Sequence, residues 1–113
     1  LQCLQVRGDS MAPTIQDGAL IVIDLKQRAL PAWRPSPRKT ARPAQKKDAI
    51  YVFNHSGQVR LKRLRDLGEN FVAIVSDNSE AHPTEIIRQG RDGGFRIIGR
   101  VVWWDVRDGG GAA

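Results

Sequence analysis

Between Asp48 and Val106 no apolar stretch runs long enough, free of turn residues, to build a long helix, and this punctuation constrains the fold more than any other feature. Ala49 to Phe53 has the composition of a strand. Asn54-His55-Ser56-Gly57 is a hairpin turn in which Gly57 is free to take a positive φ. Gln58 to Leu64 is the returning strand, Asp66 to Glu69 the next turn, and Asn70 to Val75 a further strand. Thr84 to Arg88 follows Pro83 as a short strand, Arg91 to Gly94 turns again, and Phe95 to Val106 closes the chain with Gly99 as a bulge or bend. Nearer the start, Leu4 and Val6 alternate with polar residues up to Gly8. Met11 to Gln16 reads as a short turn or half-helix with Pro13 in its first turn, and Asp17-Gly18 leads into a buried strand from Ala19 to Asp24. Many short strands and no long helix predict a mostly β domain.

One stretch breaks this pattern. Residues 26 to 47 hold eight basic residues, no acidic one, and four of the six prolines. Proline removes backbone donors and favours extended chain, so a surface loop inserted in the domain is expected, with Leu30 and Trp33 able to pin it. The net charge of +6 comes from this stretch, because the remainder carries ten basic residues against twelve acidic ones. The charge is local, and a solvated loop explains it without nucleic acid. A lone cysteine, Cys3, allows no internal disulfide and points to a reducing compartment. No apolar run approaches the ~20 residues of a membrane span, and no signal peptide is visible, so a cytoplasmic protein with no membrane partner is expected. The domain is placed at residues 1–108, with a frayed tail at 109–113.

Two residue types could carry chemistry. Ser10 lies in Gly8-Asp9-Ser10-Met11, at a bend where backbone N–H groups could face a developing oxyanion. A serine that merely caps a turn is the simpler reading of that segment alone. A nucleophilic serine needs a base. His55 falls at a hairpin tip and His82 before a proline, both positions of solvated loop histidines. Two histidines and one cysteine without ligand spacing make no zinc site, so neither metal nor cofactor is expected. Lys62 remains, on the strand Gln58 to Leu64, where Val59 and Leu61 would point to one face and Arg60, Lys62 and Leu64 to the other. Lysine accepts a proton only when neutral, so work near pH 7 needs its pKa to fall far below the usual value of about 10.4. Burial and positive neighbours both act in that direction, and Arg60 and Arg63 flank it. An ordinary edge-strand lysine is the competing reading.

The order of these pieces resembles a known family. Val6-Arg7-Gly8-Asp9-Ser10-Met11-Ala12-Pro13 with Asp17-Gly18-Ala19-Leu20 is similar to the nucleophile segment of the LexA, UmuD and phage-repressor self-cleaving peptidases. Val59 to Leu64 resembles their lysine strand, Phe71 to Asn78 the strand and turn that follow, and Ile97 to Trp103 their closing strand. The resemblance implies a LexA-like, mostly β peptidase fold, with Ser10 as nucleophile, Lys62 as general base and the backbone N–H groups of Asp9 and Ser10 as oxyanion hole. It implies a homodimer, a RecA filament as co-effector in the DNA-damage response, and operator DNA bound through an N-terminal helix-turn-helix domain. Neither Ala-Gly nor Cys-Gly, the family's cleavage dipeptides, occurs here, so the cleaved linker and the DNA-binding domain are expected upstream of Leu1. The 52-residue spacing from Ser10 to Lys62 is longer than the family's, and the basic stretch accounts for the excess. Ser79 follows Asn78 where relatives often carry proline. A silent dimerisation module, a UmuD-type polymerase subunit and a signal-peptidase-like enzyme remain as alternatives.

Overall fold

A computed structural model describes residues 1–32, 48–90 and 94–106. Among them lie seven strands and no helix: β1 (Gln2–Gln5), β2 (Leu20–Asp24), β3 (Ile50–His55), β4 (Gln58–Gly68), β5 (Phe71–Val75), β6 (Glu85–Arg88) and β7 (Phe95–Trp104). All pair antiparallel in one sheet of order β1-β2-β7-β3-β4-β5-β6. The mostly β expectation therefore holds.

The central strand β3 is apolar on both faces, and side-chain alternation sends its residues into two separate clusters. Ile50 and Val52 join Val6, Met11, Ile15, Ala19, Ile21, Ile23 and Val101. Tyr51 and Phe53 join Leu64, Val72, Ile74, Ile87 and Ile97. The faces expected for β4 are the observed ones: Leu61 packs against the first cluster and Leu64 belongs to the second. Leu30 packs on the second cluster, as expected of a loop anchor. Trp33, the rest of the basic stretch to Lys47, and the tail 109–113 lie outside the described residues, as do 91–93 of the predicted fourth turn.

Two boundaries differ from expectation, those of β4 and β7. Asp66 does not open a turn: β4 runs on to Gly68, with Asp66 opposite Val72 and Gly68 opposite Phe71 across a register shift. The reversal falls at Glu69 and Asn70, both with positive φ (54° and 71°), the geometry that a tight two-residue hairpin demands. The Asp66 carboxylate accepts the Gly68 N–H at 2.9 Å and shapes the approach. Met11 to Gln16 takes the turn form of the two expected, around a cis Ala12–Pro13 bond. β7 stops at Trp104, because Asp105 turns to bond Leu20 through both its N–H and its carboxylate.

Gly99 marks a bulge, as expected. Val52 faces Gly99 while Phe53 faces Ile97, leaving Ile98 as the extra residue. Its glycine identity follows from a close approach: a Cβ there would stand 2.7 Å from the Asp24 carbonyl oxygen. The bulge thus lets β7 swing from β3 to β2 and binds the two halves of the sheet.

Candidate functional site

The segment between β1 and β2 presents Ser10. Val6 and Ala19 continue the ladder beyond β1, with Val6 N–H donating to Ala19 and Gly18 N–H to Val6, each at 2.8 Å. Gly8 takes a φ of +98°, which a residue with a Cβ rarely adopts, and donates its N–H to the Asp17 carboxylate at 2.8 Å. Next come two tight turns, closed by Ala12 N–H to Asp9 carbonyl (3.1 Å) and Ile15 N–H to Met11 carbonyl (2.9 Å). Met11 and Ile15 are fully buried in the first cluster. Burial of two such side chains stabilises the loop by about 1.5–3 kcal/mol each. Ser10 is held at a bend whose apolar neighbours anchor it from below.

A second clamp comes from the segment after β5. Asn78 N–H donates to the Ser10 carbonyl and Asn78 Nδ2 to the Asp9 carbonyl, both at 3.1 Å. His82 Nε2 lies 2.8 Å from Asp9 Oδ1, and His82 N–H closes a turn on the Asn78 carbonyl at 3.0 Å. Ser79 sits inside that turn, so the local geometry forms without a proline. The His82 contact holds the Asp9 carboxyl below its usual pKa. Asp77 accepts from Thr14 Oγ1 and from both Nε and Nη2 of Arg63, the latter two at 2.7 and 3.0 Å. Arg63 also donates to the Asp48 carbonyl. These bonds tie together the serine loop, β4 and the head of β3.

Lys62 lies on β4 opposite Tyr51 of β3. The pairing of Arg63 with Val75, extended by one step, sets Lys62 against Ser76. Their side chains meet there: Lys62 Nζ donates to Ser76 Oγ at 2.6 Å, with the residues 6% and 3% exposed. Burial lowers the Lys62 pKa below the ordinary 10.5, and the Arg60 guanidinium lowers it further. Glu85 and Asp9 act in the opposite sense. The Ser10 hydroxyl donates to the carbonyl of Leu61, the residue before Lys62, at 3.2 Å. The fold thus brings the two expected residues to one place, with their polar atoms turned to Leu61 and Ser76.

Sequence reasoning passed over Ser76, the Thr14–Asp77–Arg63 chain and the Asp9–His82 contact. His82, expected as a solvated loop residue, braces the serine loop through Asp9. Among the described residues no group of three or more His, Cys, Asp or Glu side chains could hold a metal.

The profile of the Peptidase S24-like family matches residues 1–102. The chain belongs to this family. Two curated relatives point the same way. The HTH-type transcriptional regulator PrtR of Pseudomonas aeruginosa is 30% identical over 104 residues, covering 90% of this chain and 35% of that protein. The 26 kDa repressor protein of Escherichia phage HK022 is 28% identical over 102 residues, covering 90% of this chain and 36% of that protein. The chain thus spans about a third of the length of these relatives.

In this Peptidase S24-like domain, Asp77 is the hinge of the clamp. The Arg63 and Asp77 side chains are 12% and 7% exposed, so removing the carboxylate strands a largely buried cation. Asp77→Ala is expected to cost about 3 kcal/mol in urea unfolding. A loss under about 0.5 kcal/mol would show that the pair does not hold the loop.

Proposed function

We propose that this chain is the peptidase and dimerisation domain of a LexA-like transcriptional repressor that cuts its own upstream linker. The observation that carries the reading is Lys62: a buried amine with lowered proton affinity, next in sequence to the carbonyl that holds the Ser10 hydroxyl. A surface lysine has none of these properties. Family membership and two relatives named as a transcriptional regulator and a repressor support the same reading.

The proposed chemistry is acyl transfer. Neutral Lys62 donates one N–H to Ser76, which aims its lone pair away from that hydroxyl. Rotation about χ1 takes the Ser10 hydroxyl from the Leu61 carbonyl to this lone pair. Lys62 accepts the proton as Ser10 Oγ attacks the scissile carbonyl and passes it to the leaving amine nitrogen as the peptide C–N bond breaks, and the again neutral amine then takes a proton from the water that releases the acyl group. The N–H groups of Asp9 and Ser10 would stabilise the oxyanion. Hydroxyl rotation is a small motion, and catalytic hydrogen bonds often tighten only with substrate in place.

In the whole protein, this reading places the cleaved linker and a DNA-binding domain upstream of Leu1. Cleavage would then separate operator binding from dimerisation and relieve repression in the DNA-damage response, with a RecA filament as co-effector in the cytoplasm. No described helix is long and apolar enough to cross a membrane. Self-association would use exposed apolar side chains such as Leu20, Val102 and Trp103 on the paired strands β2 and β7. Sedimentation across a concentration series should show a dimer, and a monomer at all concentrations would remove that part of the reading.

The central test is incubation of the full-length protein at rising pH, with fragments identified by mass. Wild type should give one cut before Leu1, and Ser10→Ala and Lys62→Ala none, each remaining folded by circular dichroism. Because the Lys62 pKa is lowered, the rate should climb with pH and reach half its plateau below 10.5. A flat profile, or cleavage by Lys62→Ala, would remove the lysine as base. Absence of any cut in wild type, even with RecA filament, would favour a silent dimerisation module, the state in which Ser10 stays on Leu61.

A further inference from the structure

Arg60 lies two residues before Lys62 on β4, and alternation puts both side chains on the face of Tyr51 and Phe53. Its guanidinium is fixed from three sides. The Phe53 ring centroid lies 5.8 Å from Cζ, His55 Nδ1 lies 3.4 Å from Nη1, and the Glu85 carboxylate takes both Nη1 and Nη2. Strand β5 ends at Val75, so Glu85 at the head of β6 reaches Arg60 past its end.

This ion pair is a weak candidate for a structural strut. Its side chains are 19% and 44% exposed, and pairs in such surroundings contribute little to stability. Its position gives it a different significance. It places one permanent positive charge two residues from a buried lysine on the same strand and face, and holds one negative charge against it.

We propose that Arg60 and Glu85 are positioning residues that set the protonation of Lys62, Arg60 favouring the neutral amine and Glu85 limiting that effect. The inference rests on the reading of Lys62 as base. Among the described residues, polar and charged groups face Lys62 from every element packed around it. On its own strand stands Arg60, across β3 are Tyr51 and His55, and on β6 is Glu85. From the serine loop comes Asp9, braced by His82, and from the segment after β5 comes the neutral Ser76 hydroxyl. Tyr51 is buried with its pKa raised, so it stays neutral. Arg63 takes the other face and is paired with Asp77. Among the described residues, Arg60 is the permanently charged group that pushes the amine toward neutrality.

The signs follow. Glu85→Gln leaves the Arg60 charge uncompensated and lowers the Lys62 pKa further. Arg60→Gln leaves Glu85 beside the amine and raises it. Arg60→Lys keeps the charge and should stay near wild type, which separates electrostatics from packing on Phe53.

The test combines two readouts. Self-cleavage of the full-length protein is followed against pH in wild type, Arg60→Gln, Arg60→Lys and Glu85→Gln. In the same proteins, ¹³C-labelled lysines are titrated by NMR, with Lys62 assigned by its loss in Lys62→Met. The expected result is an acid shift of both profiles for Glu85→Gln and an alkaline shift for Arg60→Gln. Profiles that coincide with wild type, or that shift in the same direction for both variants, overturn the inference while leaving the base reading intact. Movement of the Lys62 titration that the cleavage profile does not follow overturns the base reading itself, and this inference with it.

Discussion

A lysine residue that is only 6% exposed imposes conditions on everything around it. In its charged form it would face a desolvation cost of several kcal/mol with one neutral hydroxyl as its direct partner. The sheet accommodates it because the favoured form is shifted toward neutral. Ser76 accepts from the amine without demanding a charge, and Arg60 works against protonation. The antiparallel register of β4 and β5 puts Ser76 opposite Lys62, and the Glu69–Asn70 reversal fixes that register. A turn far from the site therefore decides what the amine can touch.

The serine loop depends on the same geometry. Ser10 reaches the Lys62 strand only because three anchors converge on its loop: the buried Met11 and Ile15, the Gly8–Asp17 bond, and the clamp from Asp77, Asn78 and His82. The last of these starts one residue after Ser76. One short segment thus partners the lysine and grips the serine loop, which couples the spacing of the two functional groups to the end of β5.

Much of this was legible in the sequence. The β periodicity, the Ser56-Gly57 hairpin, the Gly99 bulge and the two faces of β4 follow from side-chain alternation and from the conformational needs of turns. Chemistry and resemblance single out Ser10 and Lys62, and the fold bonds the Ser10 hydroxyl to the carbonyl of Leu61, the residue before Lys62. Ser76 was hidden by a misplaced turn. A reversal at Asp66–Glu69 would have set Lys62 against Ala73, three residues short of the hydroxyl. Glu69-Asn70 lacks the Asn-Gly or Asp-Gly signature, and a glutamate at positive φ is uncommon, so local sequence pointed to Gly68 instead. The Asp77 and His82 contacts span more than sixty residues to Thr14 and Asp9, a distance at which no local pattern carries a signal.

The account stands or falls on whether Ser10 is a nucleophile made reactive by Lys62. The most direct measurement is covalent trapping of this chain with a fluorophosphonate, mapped by peptide mass at pH 7 and pH 9. The account predicts a single adduct on Ser10, forming faster at the higher pH and lost in Lys62→Ala. An adduct spread over Ser56, Ser76 and Ser79 alike, or one on Ser10 that forms equally well without Lys62, would contradict it.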